Sequence, residues 1–125
     1  MIKTTLEKDL KTASTWQDKQ VIPSAFGDAR EHVNPAEMLA CSLGACMMTM
    51  VGYMAAKRNE NAEGTFVEIG LSFDDKHSRI TEIALTFTFP ASFTAEQKAF
   101  YARVAQGCPV HNSLREDIVY TTKIN

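Results

Sequence analysis

Nineteen consecutive residues, Met38 to Ala56 (MLACSLGACMMTMVGYMAA), carry no charge. A run of this kind reads as a helix that is apolar on every side, and such a helix has to be covered on every side. Cys46 lies near its middle, in what should therefore be a dry, screened place. A second thiol, Cys108, follows 62 residues later within Gly107-Cys108-Pro109-Val110-His111. There a new helix begins, and backbone dipoles at a helix start favour a thiolate. One protected sulfur and one activated sulfur suggest a redox pair more than two inert core residues.

The length of the run also suits a membrane span. However, Cys41, Ser42, Gly44, Thr49, Gly52 and Tyr53 dilute its apolarity, and no aromatic belt or strong Lys/Arg asymmetry flanks it. A buried core helix is the expectation, with no membrane partner. The whole chain, at 125 residues, 45% hydrophobic and 22% charged, has the balance of one ordinary soluble globular domain spanning 1–125. Its net charge is −2 and no Lys/Arg block occurs, so nucleic acid is not an expected partner. The start, MIKTTLEKDLKT, has no apolar signal region, and three cysteines do not make a secreted disulfide scaffold. The expected compartment is reducing and cytoplasmic.

Local signals divide the remainder. Asn34 can cap the long helix, Pro35 suits its first position, and Glu37 falls where a capping box needs an acid. The helix should run to about Lys57–Asn59. Val67, Ile69, Leu71 and Phe73 share one face of a strand over Phe66–Asp74. Ile83, Leu85, Phe87 and Phe89 share one face of a second strand over Ile80–Phe89, and Asp75–Ser78 connects the two as a hairpin. Thr94 and Gln97 form another capping-box signal, opening a helix to about Gln106. Gly107 breaks it, Pro109 restarts a short turn, and Ile118–Ile124 reads as a last strand. In the first third, Ile2–Leu10, Thr12–Trp16 and Val21–Phe26 read as short strands. The fold class is α+β, with helices against an antiparallel sheet around a long buried central helix.

One side of that helix can pack on the sheet. Ser42, Ala45, Cys46, Thr49, Gly52, Tyr53 and Ala56 form a second, mostly small stripe at three- and four-residue spacing, which lets another backbone approach closely. A two-fold homodimer with central helices packed together would cover it. Within one chain, Ala95–Gln106 is the competing cover.

The thiols each carry two readings. Cys46 is about 12 positions beyond the cap, roughly 18 Å along the axis and out of reach of the macrodipole. It is either a core thiol or a nucleophile that needs a cation brought by the fold. Cys108 is either a capping residue in a turn or a thiolate favoured by its helix start, three residues before His111. Cys41, too far round the helix to share the face of Cys46, reads as structural. Met38, Met47, Met48, Met50 and Met54 either fill the core or line an apolar pocket for an alkyl chain. The three histidines and three cysteines show no C-x-x-C or H-x-x-x-H spacing, so neither metal nor other cofactor is expected.

Asn34-Pro35-Ala36-Glu37-Met38-Leu39, then Leu43-Gly44-Ala45-Cys46, then Gly107-Cys108-Pro109-Val110, resembles the OsmC/Ohr family in order and spacing over roughly residues 30–125. The resemblance implies an intertwined two-fold dimer with two long central helices and sites at the subunit interface. It also implies thiol-dependent reduction of organic hydroperoxides. By position, Cys46 would attack the peroxide and become a sulfenic acid, which Cys108 would resolve as a disulfide for an external dithiol to reduce.

Where activation matters, this chain departs from the well-characterised branches. These place a glutamate ten residues before the reactive cysteine, where this chain has Ala36. Glu37 matches a second common family position and is equally explained as a cap. No arginine precedes Arg30, which is the candidate activating cation; Lys3, Lys8, Lys11 and Lys19 are the other upstream cations, and a solvated loop charge is the plain alternative for Arg30. A non-catalytic small-molecule binder or redox sensor on the same fold is the alternative function, and a structural dimer module is a third.

Overall fold

The computed structural model describes residues 1–21, 24–25 and 32–125, the side chains of 24 and 25 excepted. They fall into two compact units, Met1–Cys41 and Ser42–Asn125, with the boundary inside the long helix.

The first unit is a small antiparallel sheet. Strand β1 (Ile2–Leu6) pairs with β2 (Lys11–Trp16), and β2 also pairs with the two-residue strands β3 (Lys19–Gln20) and β4 (Ser24–Ala25). Gln17 and Asp18, between β2 and β3, both have positive φ (49° and 61°), as a tight two-residue hairpin turn demands. The expected strand Ile2–Leu10 ends early because Lys8–Leu10 forms a single 3₁₀ turn. The expectation over Val21–Phe26 falls partly on residues outside those described.

Helix α1 (Pro35–Lys57) begins where the capping signals place it. The backbone N–H of Glu37 donates to Asn34 Oδ1 (2.8 Å), and the Asn34 N–H donates to Glu37 Oε2 (3.1 Å). Two otherwise unpaired donors are thereby satisfied.

In the second unit, β5 (Phe66–Phe73), β6 (Ile80–Thr88) and β7 (Val119–Ile124) form one sheet in the order β5-β6-β7. The hairpin β5–β6 is antiparallel, as its alternation requires. Strand β7 runs parallel to β6, so the sheet is mixed and not wholly antiparallel as expected. The reason is topological: α2 (Ala95–Gln106) and α3 (Pro109–Asn112) cross between them and return the chain in the same direction. Ile83, Leu85, Phe87 and Phe89 are all buried. A register shift at Ser72/Phe73 turns Phe73 out of the row begun by Val67, Ile69 and Leu71.

Leu43, Met47, Val51 and Ala55, one residue every four, form the sealed row of α1, none more than 2% exposed. They join Ile83, Leu85, Phe87, Tyr101, Ala102 and Ala105 in a single core. At Gly44 the helix rides close over β5: an added Cβ would lie 3.4 Å from Ile69 Cδ1 and 3.6 Å from Val67 Cγ1.

The opposite side is open. Ser42, Ala45, Thr49, Gly52, Tyr53 and Ala56 are exposed, and a Cβ added at Gly52 would meet nothing within 4 Å. Among the described residues the helix is therefore not buried on every side, and α2 does not cover the small stripe. The helix is long and apolar enough to cross a membrane by length and composition, and its sealed row belongs to the core just described.

Candidate functional site

Cys108 is held by the two helices that meet at it. Thr94 opens α2 through a capping box with Gln97, and Gly107 closes α2 with its N–H on Val104 O (3.1 Å). A clasp at the start of α2 fixes its position. Glu60, just beyond α1, pairs with Arg58 (2.8 Å) and accepts from Gln97 Nε2 (2.8 Å), while Arg58 lies over the Phe100 ring (4.4 Å). Cys108 then takes extended φ/ψ as the N-cap of α3, with Pro109 at the first helical position. Its Sγ accepts from the His111 N–H at 3.4 Å.

That arrangement does not activate the thiol. Cys108 is completely buried, and burial pushes its pKa up. The N–H groups of His111 and Val110 pull the other way, and the neighbouring Cys46 thiol raises it further. Helix α3 has four residues, so few peptide dipoles are aligned behind the sulfur and desolvation prevails. The thiol expected to be activated is thus the sealed one. Cys46, expected in a dry place, is only partly buried, and the small stripe beside it is exposed.

The two thiols come together. Despite 61 intervening residues, Cys46 packs against the core cluster that contains Cys108, near enough for its thiol to bear on the ionisation of the other. Both are free thiols, as is Cys41, which is exposed and so plays no part in the core. Glu37 sits in the capping box at the start of α1. Arg30 lies outside the described residues. Of the five methionines, Met47 is core, Met48, Met50 and Met54 pack against it, and only Met48 borders the ~390 Å³ cavity at the end of α1. Among the described residues, no three His, Cys, Asp or Glu side chains converge as a metal ion would require.

One neighbour of Cys108 escaped the sequence reading. Tyr120, on β7, packs its ring against His111 with centroids 4.5 Å apart. Its Oη and His111 Nδ1 are buried without a hydrogen-bond partner among the described residues. Burial raises the Tyr120 pKa, and negative charge at Cys108 raises it further. Strand alternation carries the signal: Tyr120 falls two residues after buried Ile118, on the same side.

The site is thus a partly buried thiol on a long helix and a sealed thiol at a helix start, within an α+β chain. Comparison with known proteins gives the family. The OsmC-like protein family matches residues 27–123, and the chain belongs to it. Its fold is similar to that of an osmotic stress induced and detoxification response protein from Psychrobacter arcticus 273-4. The TM-score is 0.90 at 25% identity, over 99% of this chain and 94% of that one. It also resembles an organic hydroperoxide resistance protein OsmC from Legionella pneumophila (TM-score 0.73, 17% identity, 100% and 95% covered). A third likeness is to the organic hydroperoxide resistance protein OhrB of Bacillus subtilis (0.72, 13%, 100% and 96%). No curated protein matches in sequence.

Proposed function

We propose that this protein is a cysteine peroxidase for organic hydroperoxides, working as a two-fold dimer in the cytoplasm and recycled by an external dithiol. The observation that carries the reading is the packing of Cys46 against the core that seals Cys108, near enough for one thiol to bear on the ionisation of the other. The Cys46 thiolate attacks the O–O bond, the alcohol departs with a proton, and Cys46 becomes a sulfenic acid. Cys108, its neighbour in the core, attacks that sulfur and closes a disulfide before a second peroxide can over-oxidise it. Half-exposure of Cys46 gives a peroxide access, while burial of Cys108 keeps the resolving thiol from external oxidants.

Arg30 is assigned the cation beside the Cys46 thiolate, from its place upstream of the family motif. The small stripe of α1 is assigned to the second subunit, since its residues are open in one chain and an apolar helix face of that size is best covered by its own copy.

The test is one equivalent of cumene hydroperoxide on the reduced protein, followed by thiol counting and peptide mapping. The expected result is a Cys46–Cys108 bond with Cys41 still free, and continued hydroperoxide consumption when a dithiol is supplied. Three surviving thiols and no consumption would favour the binder or sensor reading instead.

A further inference from the structure

Closing the disulfide requires Cys108 to release its proton as it attacks, yet burial holds that proton on the sulfur. Some group must accommodate the charge that develops there. On the residue that caps Cys108 and on the ring packed against it, two polar atoms, His111 Nδ1 and Tyr120 Oη, are buried without a hydrogen-bond partner among the described residues. Buried polar groups are normally paired, and an unpaired one destabilises the folded state. A phenylalanine at position 120 would keep the ring contact with His111 and remove the unpaired oxygen, so folding alone gives no reason for the hydroxyl.

We propose that Tyr120 is the positioning residue of the resolving thiol: its O–H, buried without a partner among the described residues and carried by a ring packed on the His111 that caps Cys108, turns to donate a hydrogen bond to that sulfur as it attacks Cys46. His111 links the two, since its backbone N–H already donates to Cys108 Sγ at 3.4 Å while its imidazole carries the Tyr120 ring. A cavity of about 320 Å³ beside the ring, lined by Leu114 and Ile118 and by the polar Asn112, Arg115 and Glu116, leaves it room to adjust. The phenol also stays protonated when Cys108 ionises, because that charge pushes its pKa further up. It therefore remains a donor at the moment a donor is needed.

The inference rests on the peroxidase reading. In the step concerned, the S–S bond forms as the S–O bond of the Cys46 sulfenic acid breaks. The departing hydroxide takes the Cys108 proton and leaves as water, and Tyr120 keeps its own proton throughout.

Tyr120→Phe in the full chain tests it. The expected result is a Tm equal to or above that of the parent, and unchanged sulfenic acid formation at Cys46 by dimedone trapping. Disulfide closure should be slower by about tenfold or more, the size of losing one hydrogen bond to a charged group. Closure within twofold of the parent overturns the proposal. So does a fall in Tm, which would make the hydroxyl a structural group.

Should neither protein form a sulfenic acid, the peroxidase reading fails, and a second measurement still judges Tyr120. With Cys41 and Cys46 both changed to Ser, the Cys108 thiol, followed by its 13Cβ NMR signal, is expected to ionise with an acid constant about tenfold smaller in the Tyr120→Phe protein. Equal constants overturn the assignment of the hydroxyl to Cys108.

Discussion

The centre of α1 and the turn between α2 and α3 each present a cysteine to the other, and their settings are opposite. Cys46 sits in the most apolar segment of the chain and is half-open; Cys108 sits in a segment of Gly, Pro and His and is sealed. Apolarity of the surrounding run did not decide burial. What decided it is which neighbours the topology lays over each sulfur: the sheet and α2 cover one row of α1, whereas Cys108 is tucked between two helices and the last strand. A helix start likewise failed to decide charge, because a single-turn helix cannot outweigh complete desolvation.

The sharpest way to break this contrast is to remove each sulfur in turn. Cys46→Ser is expected to lower hydroperoxide consumption by about a thousandfold or more, as loss of a nucleophile does. Cys108→Ser should retain the first stoichiometric reduction, seen as one alcohol released per subunit, and accumulate sulfenic acid. If the two variants are equally dead in that first turnover, the half-open and sealed thiols do not have separate roles.

The two sides of α1 offer a second test. Met47→Ala, in the sealed row, is expected to destabilise by about 2–5 kcal/mol, since it removes fully buried atoms and leaves a cavity. Thr49 lies on the open side with its hydroxyl turned back onto Ala45 O (2.8 Å). Thr49→Ala should change fold stability by no more than about 0.5 kcal/mol. A bulky charge there, Ala45→Glu, is expected to leave the fold intact and shift sedimentation from dimer to monomer. A monomeric parent protein would instead show that the small stripe has no second copy on it.

Much of this was legible in the residues. Both capping boxes, the hairpin and the ends of α2 follow from local rules, because caps and alternation act over three or four residues. The meeting of Cys46 with Cys108 was not deducible from periodicity; it came only through the ordered family motifs. The direction of β7 was missed because strand patterning is the same in either orientation. The burial of Cys108 was missed because a Gly-Cys-Pro-Val-His stretch looks like a surface turn until Tyr120 is laid beside it.

The raised pKa of Cys108 gives a third test, with a definite sign. A thiol whose folded pKa lies above its unfolded value favours the folded state at pH below the unfolded value. That contribution is lost as pH climbs through the ordinary thiol range towards the folded one. Denaturant midpoints of the Cys41→Ser protein should therefore fall on the alkaline side more steeply than those of Cys41→Ser/Cys108→Ala. Disulfide closure should still be accelerating with pH beyond the point at which an ordinary thiol has finished ionising. A closure rate already flat at neutral pH would mean that the cap N–H groups, not burial, govern this sulfur.

The smallest expected effect compares the two helix starts that carry the thiol-bearing segments. Thr94 and Asn34 cap α2 and α1 with the same reciprocal pattern. Thr94→Ala removes one acceptor for the Gln97 N–H, and urea unfolding should register a loss of about 1 kcal/mol with activity retained. Asn34→Ala should register a similar loss if Glu37 does no more than cap. Because the two boxes are chemically alike, a much larger effect at Asn34, or a fall in hydroperoxide consumption there and not at Thr94, would show that Glu37 carries more than a helix start. The family-position reading of that carboxylate would then replace the capping one.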